Sequence, residues 1–351
     1  MIGLRFDEEG GRVKTRLTFR QEIVPACVNH FVTFIAIWTF EKSSMRKIKS
    51  FLPFNLITLC LTINACSQTT NNSSTALASF EATTPCDEVS KSLLNLPSAD
   101  KAVMIKWALS LLTPTTYKLI YTYGMDKPNT RDFSEGAITK EQVGKWNKSN
   151  YKKMEIYTLT ANNGPSLSFL KLNENVLHLL DNNNNLMVGN GAWSYTLNRV
   201  NAVKVSSNKA NSQKIEESVL ADSIVFDGRM PCYAPLLALS GTTARGCNLV
   251  KCRIILYSDN STHAPSSLKF YSIHVGTGGS RYLSTGKWMI IRGTKTDENC
   301  TIYVLQFNSK KGQQDLMLLK GDDNVLFLLD NEMNCMAGND YCSFTMNKVM
   351  R

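Results

Sequence analysis

The 351-residue sequence predicts an all-β protein: two small antiparallel meander barrels in tandem, behind an amino-terminal targeting segment. Three observations carry that expectation. A 26-residue stretch near the end of one half recurs in the other at a constant spacing. The segments inside each half are short, β-rich and divided by turn formers. A basic, then apolar, then small-residue run ends at a cysteine.

Composition narrows the classes first. With 43% hydrophobic and 19% charged residues, and 5 Trp, 12 Tyr and 15 Phe to bury, wholesale disorder is excluded. Ten cysteines are too few for a disulfide-knot scaffold of this length. The net charge of +10 is concentrated at the start, since residues 1–65 hold 9 Lys/Arg against 5 Asp/Glu. The rest carry 30 against 24 with no basic block, so no nucleic-acid surface is expected.

The amino terminus reads as an address. Met45–Ala65 has a basic start (Arg46, Lys47, Lys49) and an apolar run from Phe51 to Ile63; the small Ala65 then precedes Cys66. That is the layout of a secretory signal peptide. The ending Ile63-Asn64-Ala65-Cys66 matches a bacterial lipobox, so Cys66 is the expected lipidation site and first mature residue. Ser67 follows it, rather than a retaining Asp, which favours the outer membrane. A single membrane helix is disfavoured, because Pro53 and Asn55 break a run well short of ~20 residues. Residues 1–44 are read as an upstream extension outside the real protein; Ile23–Trp38, apolar but interrupted by Pro25, Asn29 and His30, is the rival membrane segment. Residues 66–76 are polar and uncharged up to Thr75, a tether.

The chain then repeats itself. Asn175–Val200 and Asn324–Val349 match at an offset of 149, with fifteen of 26 positions identical. Phe80, Pro85-Cys86, Gly144-Lys145-Trp146 and Ile156-Tyr157 recur in order as Phe226, Pro231-Cys232, Gly286-Lys287-Trp288 and Ile302-Tyr303. Such a period is too long for a solenoid and marks a duplicated domain, residues 77–200 and 222–351. Residues 201–221 read as a polar linker with one helical turn. In the first copy the β-rich runs are 104–112, 117–123, 153–160, 166–172, 175–180 and 192–200. Pro85–Leu94 reads as a short helix. Breaks such as Asn-Asn-Gly-Pro and Asp-Asn-Asn-Asn-Asn favour turns. Hairpin-length connections point to a closed meander.

The ordered motifs resemble the N-terminal domain of the copper-resistance lipoprotein family NlpE. They read Thr84–Cys86, Gly144–Trp146, Leu179–Asp181 and Ser194–Asn198 in the first copy, and Met230–Cys232, Gly286–Trp288, Leu328–Asp330 and Ser343–Asn347 in the second. The resemblance implies a lipocalin-like barrel on an outer-membrane lipoprotein linked to envelope stress and copper tolerance. It fails at the chemistry. The family pattern has Cys-x-x-Cys after the proline, whereas here Cys86 is followed by Asp87-Glu88-Val89 and Cys232 by Tyr233-Ala234-Pro235. Copper binding is therefore not carried over.

Six of the seven cysteines downstream of Cys66 lie in the second copy. Cys252, Cys335 and Cys342 stand where the first copy has Trp107, Leu186 and Trp193, and so read as small buried hydrophobes. The rival is a thiolate metal or redox site built from these three, copper being the metal considered. Cys232 with Cys247 is the expected disulfide; Cys86 has no matching partner, since Ala102 takes the place of Cys247. His178 aligns with Phe327 and reads as a packing residue, Asp181 and Asp330 as turn formers, Trp146 and Trp288 as core plugs. No recurrent triad and no phosphate loop appears. The expectation is a non-enzymatic envelope lipoprotein without cofactor, anchored through Cys66, with an envelope protein or a small ligand as its partner.

Overall fold

Alternating side chains build the first barrel. In a computed structural model, β1 (Ala76–Pro85) pairs antiparallel with β2 (Met104–Leu112), which pairs with β3 (Thr116–Gly124). The meander continues through β4 (Ile138–Tyr151), β5 (Met154–Ala161), β6 (Leu167–Asn173), β7 (Val176–Leu180) and β8 (Thr196–Arg199). The β1–β8 pairing closes it, with Phe80 opposite Arg199. Trp107, Leu109 and Leu111 of β2 point inward, while Lys106, Ala108 and Ser110 between them are more exposed, the period-2 signature of a half-buried strand. The structure describes residues 75–350 apart from 152–153, 206–212, 216–221, 243–244, 277, 295–296 and 310–311. The leader, Cys66 and residues 66–74 of the tether lie outside the described residues.

The second barrel repeats the plan with β10 (Ser223–Met230), β11 (Leu249–Ser258), β12 (Pro265–Val275) and β13 (Arg281–Arg292). It continues through β14 (Thr301–Ser309), β15 (Gly312–Lys320), β16 (Val325–Leu329) and β17 (Thr345–Lys348), and closes where β10 meets β17. Each barrel has its own apolar core, one including Phe80, Trp107 and Leu119, the other Phe226, Cys252 and Phe270. The two eight-stranded closed meanders are the fold class that the repeat predicts. Among the described residues, no helix is long and apolar enough to cross a membrane.

Local chemistry explains the connections. Asp87 caps α1 (Glu88–Leu93) by accepting from the Ser90 amide at 3.0 Å. Asp181 Oδ1 accepts from the amides of Asn183 and Asn185, and Asp330 Oδ1 from those of Glu332 and Asn334. Both aspartates are turn formers. A Cβ on Gly144 or Gly286 would fall 2.1 or 2.0 Å from the carbonyl oxygen of Thr160 or Gln306. The glycine of Gly-Lys-Trp is thus what lets β4 approach β5 and β13 approach β14.

Three sequence expectations change. The run 192–200 is a strand only over β8, because Asn190 Oδ1 accepts from the amides of Ala192 and Trp193 and folds that stretch into a loop. In the linker, the described residues 213–215 form a strand rather than a helical turn, β9 (Gln213–Ile215), paired with Ile290–Arg292 of β13. Trp193 and Cys342 fill neither barrel core; they face the other barrel.

The barrels meet through β8 and β17 on a pseudo-twofold axis. Equivalent residues touch each other: Ser194 Oγ with Ser343 Oγ at 2.5 Å, Thr196 Oγ1 with Thr345 Oγ1 at 2.8 Å, and the His178 ring edge-on to Phe327 at 5.2 Å. Off the axis, contacts come in related pairs. The Gly189 amide donates to Asn347 Oδ1 at 2.8 Å, and the Gly338 amide to Asn198 Oδ1 at 2.7 Å.

Candidate functional site

A cavity of about 250 Å³ opens at the mouth of the first barrel, at the end where β1 begins. Its wall is apolar: Phe80 from β1, Leu111 from β2, Trp146 from β4, Tyr157 from β5 and Leu177 from β7. Trp146 is anchored through its indole N–H, which donates to the Leu112 carbonyl at 3.2 Å, and its ring lies 5.5 Å from that of Tyr157. Trp146 is therefore a wall of this cavity as well as a member of the core.

The rim is cationic. Lys148 stands two residues beyond Trp146 on β4, Lys171 comes from β6 and Arg199 from β8. Both lysine nitrogens lie over the Tyr157 ring, at 5.2 Å for Lys148 and 5.7 Å for Lys171. Glu155 bridges them, at 3.3 Å to Lys148 and 3.1 Å to Lys171, and Lys171 also pairs with Glu174. Arg199 donates to the carbonyls of Glu174 and Leu77.

These contacts set the charges. Burial pulls the Lys171 ammonium toward the neutral form, but its hydrogen bonds to Glu174 and Glu155 outweigh that and hold its pKa above the ordinary lysine range. Lys148 is likewise raised, burial being overcome by Tyr157 and Glu155. Burial raises Glu155, and the two lysines more than reverse it. Three cations against two carboxylates leave the rim net positive at neutral pH.

The second barrel keeps the wall and thins the rim. Phe226, Leu256, Trp288, Tyr303 and Leu326 occupy the equivalent wall positions, and all are buried. Lys148 is replaced by Ile290, Glu155 by Thr301 and Arg199 by Lys348; Lys320, the counterpart of Lys171, pairs with Asp323 at 2.8 Å. The full set of three cations over the apolar wall belongs to the first barrel, while the second keeps two, Lys320 and Lys348.

Cys252, Cys335 and Cys342 do not gather at one point. Cys252 lies in the second barrel's core, Cys342 against Leu249 and Tyr341, and Cys335 on an outer patch with Cys300, Met317 and Met333. Burial pushes the thiols of Cys335 and Cys342 up to about 12, and that of Cys252 higher still, so all three are protonated at neutral pH. Among the described residues, no group of three or more His, Cys, Asp or Glu is placed to hold a metal. Cys232 and Cys247 form a disulfide with Cα atoms 6.1 Å apart, while Cys86 is free and buried. The mouth itself was not legible in the sequence. A signal existed in Lys148, Lys171 and Arg199, each two residues from a buried core position (Trp146, Phe169 and Leu197), but the strand register is needed to bring the three together.

No family model matches the chain, and no curated protein matches it. Among solved structures, it is similar to the Cpx pathway activator NlpE from Escherichia coli at 14% identity, over 59% of this chain and 91% of that one. The TM-score is 0.22, so the fold assignment rests on the strand ladders above.

Proposed function

We propose that this chain is a non-enzymatic lipoprotein of the bacterial cell envelope, held at the outer membrane by lipid on Cys66, whose first barrel takes up a small amphiphilic anion. The carrying observation is the mouth cavity, an apolar wall under a net-positive rim. An acyl chain against Phe80, Leu111 and Trp146 would leave water, at about 0.8 kcal/mol per methylene. Its carboxylate or phosphate head would meet Lys148, Lys171 and Arg199 by charge-assisted hydrogen bonds. The position of the mouth supports the reading. Leu77 lines it and lies eleven residues after Cys66, a span of at most ~40 Å when extended, so the tether can hold this opening close to a lipid surface. Occupancy that follows the amphiphile content of the envelope suits a sensing role.

One experiment with alkyne-labelled palmitate addresses both parts. Label on wild-type protein that survives denaturation is expected at Cys66; Cys66→Ala removes it and releases the protein from membranes. The soluble Cys66→Ala protein is then expected to bind free palmitate with a change in Trp146 fluorescence. Lys148→Ala weakens that binding about tenfold, the worth of one charged contact. Cys66→Ala protein that still sediments with membranes defeats the anchor. Absence of palmitate binding, or binding indifferent to Lys148, defeats the ligand.

A further inference from the structure

The contact between the barrels is isologous in all but name: a surface of one barrel meets the same surface of its sister. On the axis, Ser194, His178 and Thr196 each touch the residue 149 positions later. Off the axis, Asn198 accepts from Gly338 and donates to the Asn339 carbonyl at 2.9 Å. Its equivalent Asn347 accepts from Gly189 and donates to the Asn190 carbonyl at 3.5 Å. A single barrel therefore carries both halves of the glycine–asparagine, asparagine–asparagine and serine–serine hydrogen bonds, through Gly189, Asn190, Ser194 and Asn198, while its Thr196 would meet a second Thr196 in van der Waals contact only.

The repeat carries a matching imprint. Those five residues are all among the fifteen identical positions between the copies, although Ser194, Thr196 and Asn198 are polar side chains that the barrel cores do not use. The glycine is fixed by the same geometry. A Cβ on Gly189 would lie 2.2 Å from the Trp193 carbonyl oxygen, and one on Gly338 lies 2.0 Å from that of Cys342. Closed symmetry of this kind is what two copies of one patch produce.

We infer that this face of the first barrel is a self-recognition surface, whose partner, once its sister is removed, is a second copy of the same barrel in the same twofold arrangement. The interface also departs from symmetry: Arg131 lies over Tyr341, whose counterpart is Ala192, Asn173 donates to the Cys335 carbonyl where its counterpart Asp322 cannot, and two further departures favour the first barrel as the self-pairing one. Trp193 stacks on Arg229 at 5.5 Å, while the related end pairs Cys342 with the Thr83 side, where Thr83 Oγ1 donates to the Asp340 carbonyl. A pair of first barrels sets each Trp193 against the small Thr83. A pair of second barrels sets each Arg229 against Cys342 and gives the buried guanidinium no aromatic face. At the axis, His178 meets a second His178, neutral and able to stack edge-on as it does on Phe327.

The test starts from the folded full chain, with a protease site placed between residues 206 and 212. After cleavage, the tagged first barrel is separated and its mass read by light scattering beside its far-ultraviolet circular dichroism. The expected result is a folded species of twice the barrel mass. Thr196→Arg, on the outward face of β8 at the axis, is expected to give a folded species of single mass. A folded wild-type barrel of single mass overturns the inference, and so does one that unfolds on separation, because the second copy should supply the covering that the sister supplied. Twofold mass that survives Thr196→Arg also overturns it, since pairing would then use another face.

Discussion

At His178 only one tautomer fits. Nε2 lies 2.9 Å from the Met187 carbonyl, which can only accept, so Nε2 carries the proton and Nδ1 accepts from Thr196 Oγ1, also at 2.9 Å. Thr196 in turn accepts from Thr345, which makes a relay running from one barrel into the other. The ring is fully buried, and that burial pushes its pKa down to about 4. The unfolded chain therefore takes up this proton below about 6.5, while the folded chain refuses it until about 4. Stability falls as pH drops through that window, by roughly 3 kcal/mol from this group. Replacing His178 by phenylalanine, as at Phe327, is expected to remove this loss. Urea midpoints at pH 7 and pH 4.5 should fall further for wild type than for His178→Phe; equal falls would refute the assignment. The sequence reading placed His178 correctly as a packing residue. Its packing partner was out of reach, because equivalent positions touch only if the copies face each other, and periodicity within a strand says nothing of that.

Between the barrels, the clearest difference at the level of elements lies in the short helices. The first has an aspartate cap, while α2 (Ala234–Ala238) begins at Tyr233 with no side-chain cap. The Cys232–Cys247 disulfide brackets α2 instead and closes a loop of 15 residues. A loop of that length is worth about 3 kcal/mol through the unfolded chain. It also stands where the first core has more aromatic volume: Trp107, Tyr121 and Tyr123 give way to Cys252, Ser272 and His274. Dithiothreitol should thus lower the melting temperature of the intact chain by roughly 10 °C. The double variant Cys232→Ser, Cys247→Ser should melt low in either condition. An unmoved wild-type melt would show that the bond stabilises nothing. Six strands of the first barrel were visible as β-rich runs, and two were not. β1 carries mostly Ala, Ser and Thr with Leu77, Phe80 and Glu81 among them, and β4 buries only Gln142, Gly144 and Trp146, so neither shows apolar alternation.

Over the whole molecule, the duplicated plan was legible because it is written twice, and the divergence of the copies is what the structure adds: one mouth richer in charge, one helix stapled. The linker strand β9 belongs to the same divergence. The early part of β13 pairs with β12, but Ile290–Arg292 runs beyond it, and β9 lies along that stretch. In the first barrel, β4 runs beyond β3 in the same way, with no strand on that side among the described residues. There it presents Asn147, Lys148, Ser149 and Asn150, all exposed and none apolar; the second barrel has Met289, Ile290, Ile291 and Arg292. An unpaired edge of apolar β-branched residues is a template for pairing with other chains, and natural proteins blunt such edges with charge or cover them. The first barrel uses charge, and the second borrows cover from the linker. Lys214→Pro should therefore leave the protein folded but prone to aggregate, measured as turbidity during storage, with Met289→Asn and Ile291→Ser restoring solubility. A clear Lys214→Pro solution would end the idea. If it holds, the segment joining the two barrels is also a guard against amyloid-like stacking, and its length can be shortened by evolution only as far as β9 still reaches that edge.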